Sequence, residues 1–280
     1  MAVRIVTDSA CDLPEAACTE FGIEVVPLTI RFGDREYVDR VELGVEAFWR
    51  ELLASSVLPE TAAPSVGAFE ESFRRVAAEG ADGIVCVNLS SRLSATMQSA
   101  QLAARALEGE IEIAVVDSLS ASMGEGNLAL VGARAAAAGA TVAETVAAIE
   151  DARERQHVFA TLDTLEYLRK GGRIGGAQAM LGTALSIKPV VTVADGVIHP
   201  VGKVRTRSKA LRAVLDRVPT EPGSIDAVCV LHAMAPEIDE FVADLRTIIG
   251  DVEILVGTIG PVVGVHTGPR VLGIAYIQQA

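Results

Sequence analysis

The 280-residue chain carries 37 acidic against 24 basic side chains, a formal net charge of −13, which repels nucleic acid and anionic membrane surfaces. Half of the residues are hydrophobic and only 4% aromatic, enough for a large aliphatic core in two domains or one large one. Cys11, Cys18, Cys86 and Cys229 show neither CxxC nor metal-finger spacing and read as reduced thiols; with no secretory h-region or apolar span visible, the expected location is the cytoplasm.

In chain order, VRIVTDS reads as a strand, followed by a helix over residues 13–21 for which Asp12 and Glu15 suit a capping box. VVPLTIRF and REYVD form an extended pair turning at Gly33-Asp34, and a helix lies around residues 45–53. A turn carrying Pro59 and Pro64 leads to a helix over residues 66–78. The apolar run 83–89 is a buried strand, residues 95–107 have helical spacing, and Ser94 is the expected N-cap. EIAVVDS is the next strand, followed by one long Ala-rich helix. Strands alternating with helices predict a mostly parallel sheet covered on both faces.

The pattern changes after the charged helix end at residues 150–156. HVFATLD is a strand, LEYLRK a helix stopped by Gly171-Gly172, and residues 177–185 a second short helix. PVVTVADGVIHPVGKVR is a hairpin turning on Asp195-Gly196. DAVCVLHAM and VEILVGTIG flank a helix over residues 236–249, and VLGIAYI is the last strand. The expected architecture is an α/β domain over residues 1–157 and an α+β domain over residues 158–280, the latter an antiparallel sheet with helices on one side.

Hydroxyls crowd the strand-to-helix junction NLSSRLSATMQSA at residues 88–100. A helix start offers unpaired N–H groups and partial positive charge, so Ser90, Ser91, Ser94 and Thr96 can hold a carboxylate or phosphate there without Lys or Arg. Taken locally, capping of its own helix is the favoured reading of Ser94. TDSACDLP (7–14), PETAAPS (59–65) and GPVVGVHTGP (260–269) also sit where strand meets loop, the end at which α/β sheets bind ligands. Asp8 invites a phosphatase reading, but Ala10 stands where the partner carboxylate belongs; Asp8 reads as a strand-end hydrogen-bonding residue and Asp12 as a cap. Residues 124–129 fit GxGxxA but begin eight residues past the strand. GxxxxGK[ST] and GxSxG are absent from the sequence.

These segments match, in order, the T-D-S-x-x-D-L-P, P-x-T-S-Q-P-S, L-S-S-x-L-S-G-T-x-Q-S-A and G-x-H-T-G-P motifs of the DegV family of bacterial fatty-acid-binding proteins. The chain resembles that family over nearly its whole length, including LEYLRKGGRIGG and KVRTRSKAL. It departs at Thr61-Ala62-Ala63, where the family has Thr-Ser-Gln, and at Ser94-Ala95-Thr96, where it has Ser-Gly-Thr.

The resemblance implies a protein that buries one long-chain fatty acid, such as palmitate, between two domains, with no cofactor and no metal. It implies Thr61 and Ser94 as carboxylate ligands, His266 and Thr267 as closing the network, and Thr96 as a lesser candidate. Catalysis is then expected not in this chain but in a separate ATP-dependent fatty acid kinase subunit that makes acyl phosphate. That subunit would dock on Arg205, within the basic run Lys203, Arg205, Arg207, Lys209 and Arg212, and on Arg173. Met97, Met123, Met180 and Phe159 are expected to shape the tail pocket. The alternative is a Ser/His acyl hydrolase with Ser94 as nucleophile, His266 as base and Asp117 orienting the histidine.

Overall fold

The computed structural model describes residues 2–181 and 187–280. The first half folds as β1 (Val3–Asp8), α1 (Glu15–Phe21), β2 (Glu24–Val26), β3 (Thr29–Phe32), β4 (Arg35–Val38), α2 (Val45–Ala54), β5 (Glu60–Ala62), α3 (Val66–Ala78), β6 (Gly83–Asn88), α4 (Thr96–Ala106), β7 (Glu112–Asp117), α5 (Met123–Ala137) and α6 (Val142–Glu154). The second half follows as β8 (Gln156–Thr161), α7 (Glu166–Lys170), β9 (Lys188–Ala194), β10 (Val197–Val204), α8 (Arg207–Leu215), β11 (Ile225–His232), α9 (Ile238–Ile249), β12 (Ile254–Thr258), α10 (Pro261–Thr267) and β13 (Leu272–Gln278).

Three sheets result. A parallel sheet has the order β2-β1-β6-β7, a six-stranded sheet the order β10-β9-β8-β13-β11-β12, and a small antiparallel sheet the order β4-β3-β5. Successive strand residues point to opposite faces, and both large sheets bury both faces. On β6, Val85 and Val87 face the central core, while Ile84 and Cys86 face α3 and α4 through Phe69, Phe73 and Ala103. On β11, Cys229 and Leu231 face the central core, while Val228 and Val230 face α8 and α9 through Val214, Phe241 and Leu245.

Helix α5 packs against strands of both large sheets, so every residue from Met123 to Leu130 is buried. That setting accounts for the GxGxxA match: a Cβ on Gly126 would lie 2.7 Å from the carbonyl oxygen of Cys11. The glycine is there for close packing, not for a dinucleotide.

Several local expectations are corrected. The Ala-rich segment is two helices, because Gly139 adopts a φ of 89° and Thr141 opens α6 with a Thr141–Glu144 capping box. Asp12 does not cap α1, whose flanking residue is Pro14; its carboxylate is buried instead. Ser94 stands one residue outside the helix start, α4 being flanked by Ala95. The second-half sheet is not wholly antiparallel, since β11 pairs with β12 in parallel through the crossover helix α9. The helix expected over residues 177–185 is a 3-10 turn at Gly175–Met180 as far as residue 181; residues 182–185 lie outside the described residues.

Candidate functional site

Side-chain alternation on β8 aims Val158 and Ala160 at one face, and β9 and β10 add Val191, Val193 and Ile198. With Leu28 and Leu89 from the loops after β2 and β6, they wall a cavity between the two large sheets. The cavity and its mouth enclose about 890 Å³ of space between atoms, open solvent at the mouth included. Among the described residues, no Asp or Glu lines it. Nor do Met97, Met123, Met180 or Phe159, the side chains expected to shape it. Phe159 points to the opposite face of the sheet, stacked with His157 and beside Tyr276.

Polar side chains also reach this apolar cavity. Thr61, Ser94, His266, Thr267 and Arg173 all line the cavity, although they come from β5, the turn before α4, α10 and the turn after α7. Thr61 is held on a strand edge, paired with Ile30 of β3, and its Oγ1 lies 2.9 Å from Nε2 of His266. The His266 Nδ1 is buried and, among the described residues, has no hydrogen-bond partner. Gly171 closes against it so tightly that a Cβ there would fall 2.2 Å from Nδ1. Burial, reinforced by the nearby Arg173 charge, pushes the imidazole down to about 4, so it is neutral at neutral pH. Thr267 donates its hydroxyl to the Val263 carbonyl at 3.0 Å and retains its acceptor lone pairs.

The hydroxyl-rich turn divides its work. Ser90 donates to the carbonyl of Gly196 at 2.7 Å and ties the turn to the β9–β10 hairpin. Asp117 accepts from the backbone N–H groups of Ser91 and Leu119, at 3.2 and 2.9 Å. Ser94 Oγ contacts Thr96 Oγ1 at 2.8 Å and accepts from the Thr96 N–H at 3.3 Å. Thr96 is itself fully buried behind Ser94 and outside the cavity lining. Asp8 acts at its strand end as expected, accepting from the Leu89 N–H at 3.0 Å and from Asn88 Nδ2 at 3.1 Å. Burial pushes its carboxyl up to about 6.

The alternative hydrolase arrangement is not assembled. Ser94 is bonded to Thr96, His266 to Thr61, and Asp117 to the backbone N–H groups of Ser91 and Leu119. An imidazole held down to about 4 is also a weak general base.

Arg173 turns inward rather than outward: Nε donates to the Leu93 carbonyl at 3.1 Å and Nη1 to the Gly171 carbonyl at 2.7 Å. The basic run around Arg205 is likewise uneven. Arg205 is exposed, whereas Arg207 is largely buried and faces Asp163 and Glu237. Among the described residues, no group of three or more His, Cys, Asp or Glu side chains is arranged to hold a metal ion. No described helix is long and apolar enough to cross a membrane.

Comparison with known proteins agrees with this fold. Residues 2–279 match the profile of a family described as "Uncharacterised protein, DegV family". A DegV domain-containing protein of Streptomyces coelicolor is 40% identical, over 97% of this chain and 97% of its own length. A fatty-acid-binding DegV family protein from Thermus thermophilus superposes with a TM-score of 0.89 at 32% identity, covering 100% of both chains. A stearic-acid-binding protein from Eubacterium ventriosum superposes with a TM-score of 0.88 at 28% identity, covering 99% of this chain and 98% of its own.

Proposed function

The chain belongs to the DegV family, and from that membership we propose that it binds one long-chain fatty acid in the cavity between its sheets. The carboxylate sits among Thr61, Ser94, His266 and Thr267, with the tail along β8, β9 and β10. The observation that carries this reading is a largely aliphatic cavity lined by Thr61, Ser94, His266, Thr267 and Arg173 and, among the described residues, by no carboxylate.

The energetics agree. Each buried methylene is worth about 0.8 kcal/mol, so a palmitate tail offers roughly 11 kcal/mol before ordering costs. A carboxylate buried beside it loses several kcal/mol of hydration unless donors replace water. Hydroxyls of Thr61 and Ser94 and the Arg173 guanidinium supply such donors, and the absence of acidic side chains removes repulsion.

The protein acts in the cytoplasm as a carrier without catalysis of its own, built from parts at residues 1–157 and 158–280 that enclose the lipid between them. A separate ATP-dependent kinase subunit forms the acyl phosphate, docking beside the exposed Arg205, with Arg173 at the ligand mouth. Calorimetric titration of the lipid-stripped, refolded protein with palmitate tests the reading and should show one site per chain; heat without saturation, or steady hydrolysis of an acyl ester abolished by Ser94→Ala, would refute it. Arg205→Ala should leave palmitate binding intact while slowing phosphorylation by the kinase subunit, and equal loss of both would remove Arg205 from the docking surface.

A further inference from the structure

Asp12 belongs to the opening TDSACDLP motif, yet it lines no part of the cavity. Its side chain is buried and gathers donors from three distant segments. Oδ1 accepts from the Gly260 N–H at 2.7 Å and from Arg40 Nη2 at 2.9 Å, and Oδ2 accepts from Ser122 Oγ at 2.6 Å. Arg40 also donates Nη1 to the Leu13 carbonyl at 3.0 Å.

Each partner is structurally committed. Gly260 immediately precedes α10, whose last residues are His266 and Thr267. Ser122 lines the cavity, and its own N–H donates to the Ala10 carbonyl at 2.8 Å. Asp12, Arg40 and Ser122 have φ values of 55°, 60° and 55°. Positive φ costs a side-chain-bearing residue of order 1–3 kcal/mol and persists where surrounding contacts over-determine it. Two such residues, Arg40 and Ser122, converge on the carboxylate of the third.

We propose that Asp12 is a positioning residue for the ligand cavity, clamping the entry of α10 and the Ser122 wall together so that His266 and Thr267 are held in place before ligand arrives. This inference rests on the fatty-acid reading of the site. Charge-assisted hydrogen bonds to a buried carboxylate are strong and directional, so one side chain can fix three backbone segments at once. Pre-set donors spare the ligand the cost of ordering them.

Asp12→Ala removes both acceptor oxygens and with them all three hydrogen bonds. Asp12→Asn keeps Oδ1 for Gly260 and Arg40 and can donate Nδ2–H to Ser122 Oγ, so it is the conservative replacement. Palmitate affinity and the imidazole NMR resonance of His266 in ligand-free protein are read for both. The expected result is at least about tenfold weaker palmitate binding in Asp12→Ala, with the His266 resonance displaced and both properties largely restored in Asp12→Asn. A folded Asp12→Ala protein with the original resonance and affinity would overturn the proposal. Should that variant fail to fold, Ser122→Ala cuts a single strut, and the same pair of readouts decides the matter. The imidazole comparison needs no lipid, so lack of palmitate binding by the unaltered protein would refute the fatty-acid reading separately.

Discussion

Thr61 Oγ1 and His266 Nε2 lie 2.9 Å apart although 205 residues separate them in sequence, and their contact joins β5 to α10 at the polar part of the cavity. Thr61→Val keeps the branched shape of the side chain but deletes the hydroxyl, leaving one imidazole nitrogen without its partner. Such a loss costs about 1–3 kcal/mol. Palmitate affinity should fall about tenfold while the fold is retained, as judged by far-UV circular dichroism. Unchanged affinity would show that this hydroxyl does not serve the head group.

Gly171 tests the packing of the same imidazole from the other side. A Cβ there would fall 2.2 Å from His266 Nδ1, whereas one on Gly202 meets nothing within 4 Å. Gly171→Ala should displace the ring and weaken palmitate binding by about tenfold or more, with Gly202→Ala close to the parent protein. Equal affinities in the two variants would mean that the ring position is not what the site depends on.

The burial of His266 carries a pH signature. Its pKa drops from the ordinary 6.5 to about 4, so between these values the unfolded chain takes up a proton that the folded one refuses. Stability therefore falls as pH drops through that window, by up to roughly 3 kcal/mol from this group. Asp39 and Asp8, pushed up to about 7 and about 6 by burial, bind protons in the folded state that the unfolded chain releases. Their contribution has the opposite sign, lost as pH rises toward those values. Comparison with His266→Asn isolates the histidine: the parent protein should lose more stability than the variant between pH 7 and pH 4.5, measured by urea denaturation. Parallel curves would contradict a neutral, buried His266.

Local sequence pointed to Ser94 through the hydroxyl-rich strand-to-helix junction, whereas Thr61, His266 and Thr267 stand in short loop-like segments and were singled out only by the family resemblance; all four line one cavity. Long periodic elements such as α3 and α9 were equally legible. Short ones were not: β5 spans only Glu60–Ala62, and three residues display no period. The short α10 reads as a loop because Gly260, Gly264 and Gly268 punctuate it. Asp12 was misread for a different reason. Its partner Gly260 is 248 residues away, and nothing local distinguishes a cap from a carboxylate turned inward.

Tail accommodation depends on the small side chains of the sheet. Ala160 on β8 lines the cavity, and Ala160→Phe would fill part of it. Long chains should suffer more than short ones, each lost methylene contact costing about 0.8 kcal/mol. The ratio of laurate to palmitate affinity should therefore rise by tenfold or more on the scale of about 1.4 kcal/mol per decade. An unchanged ratio would place the tail elsewhere.

The account rests most directly on what the purified protein holds. Denaturing organic extraction of freshly expressed protein, followed by mass spectrometry, should release about one long-chain fatty acid per chain, as expected for a tail whose burial offers roughly 11 kcal/mol. Recovery of no lipid, or of a nucleotide in its place, would contradict it.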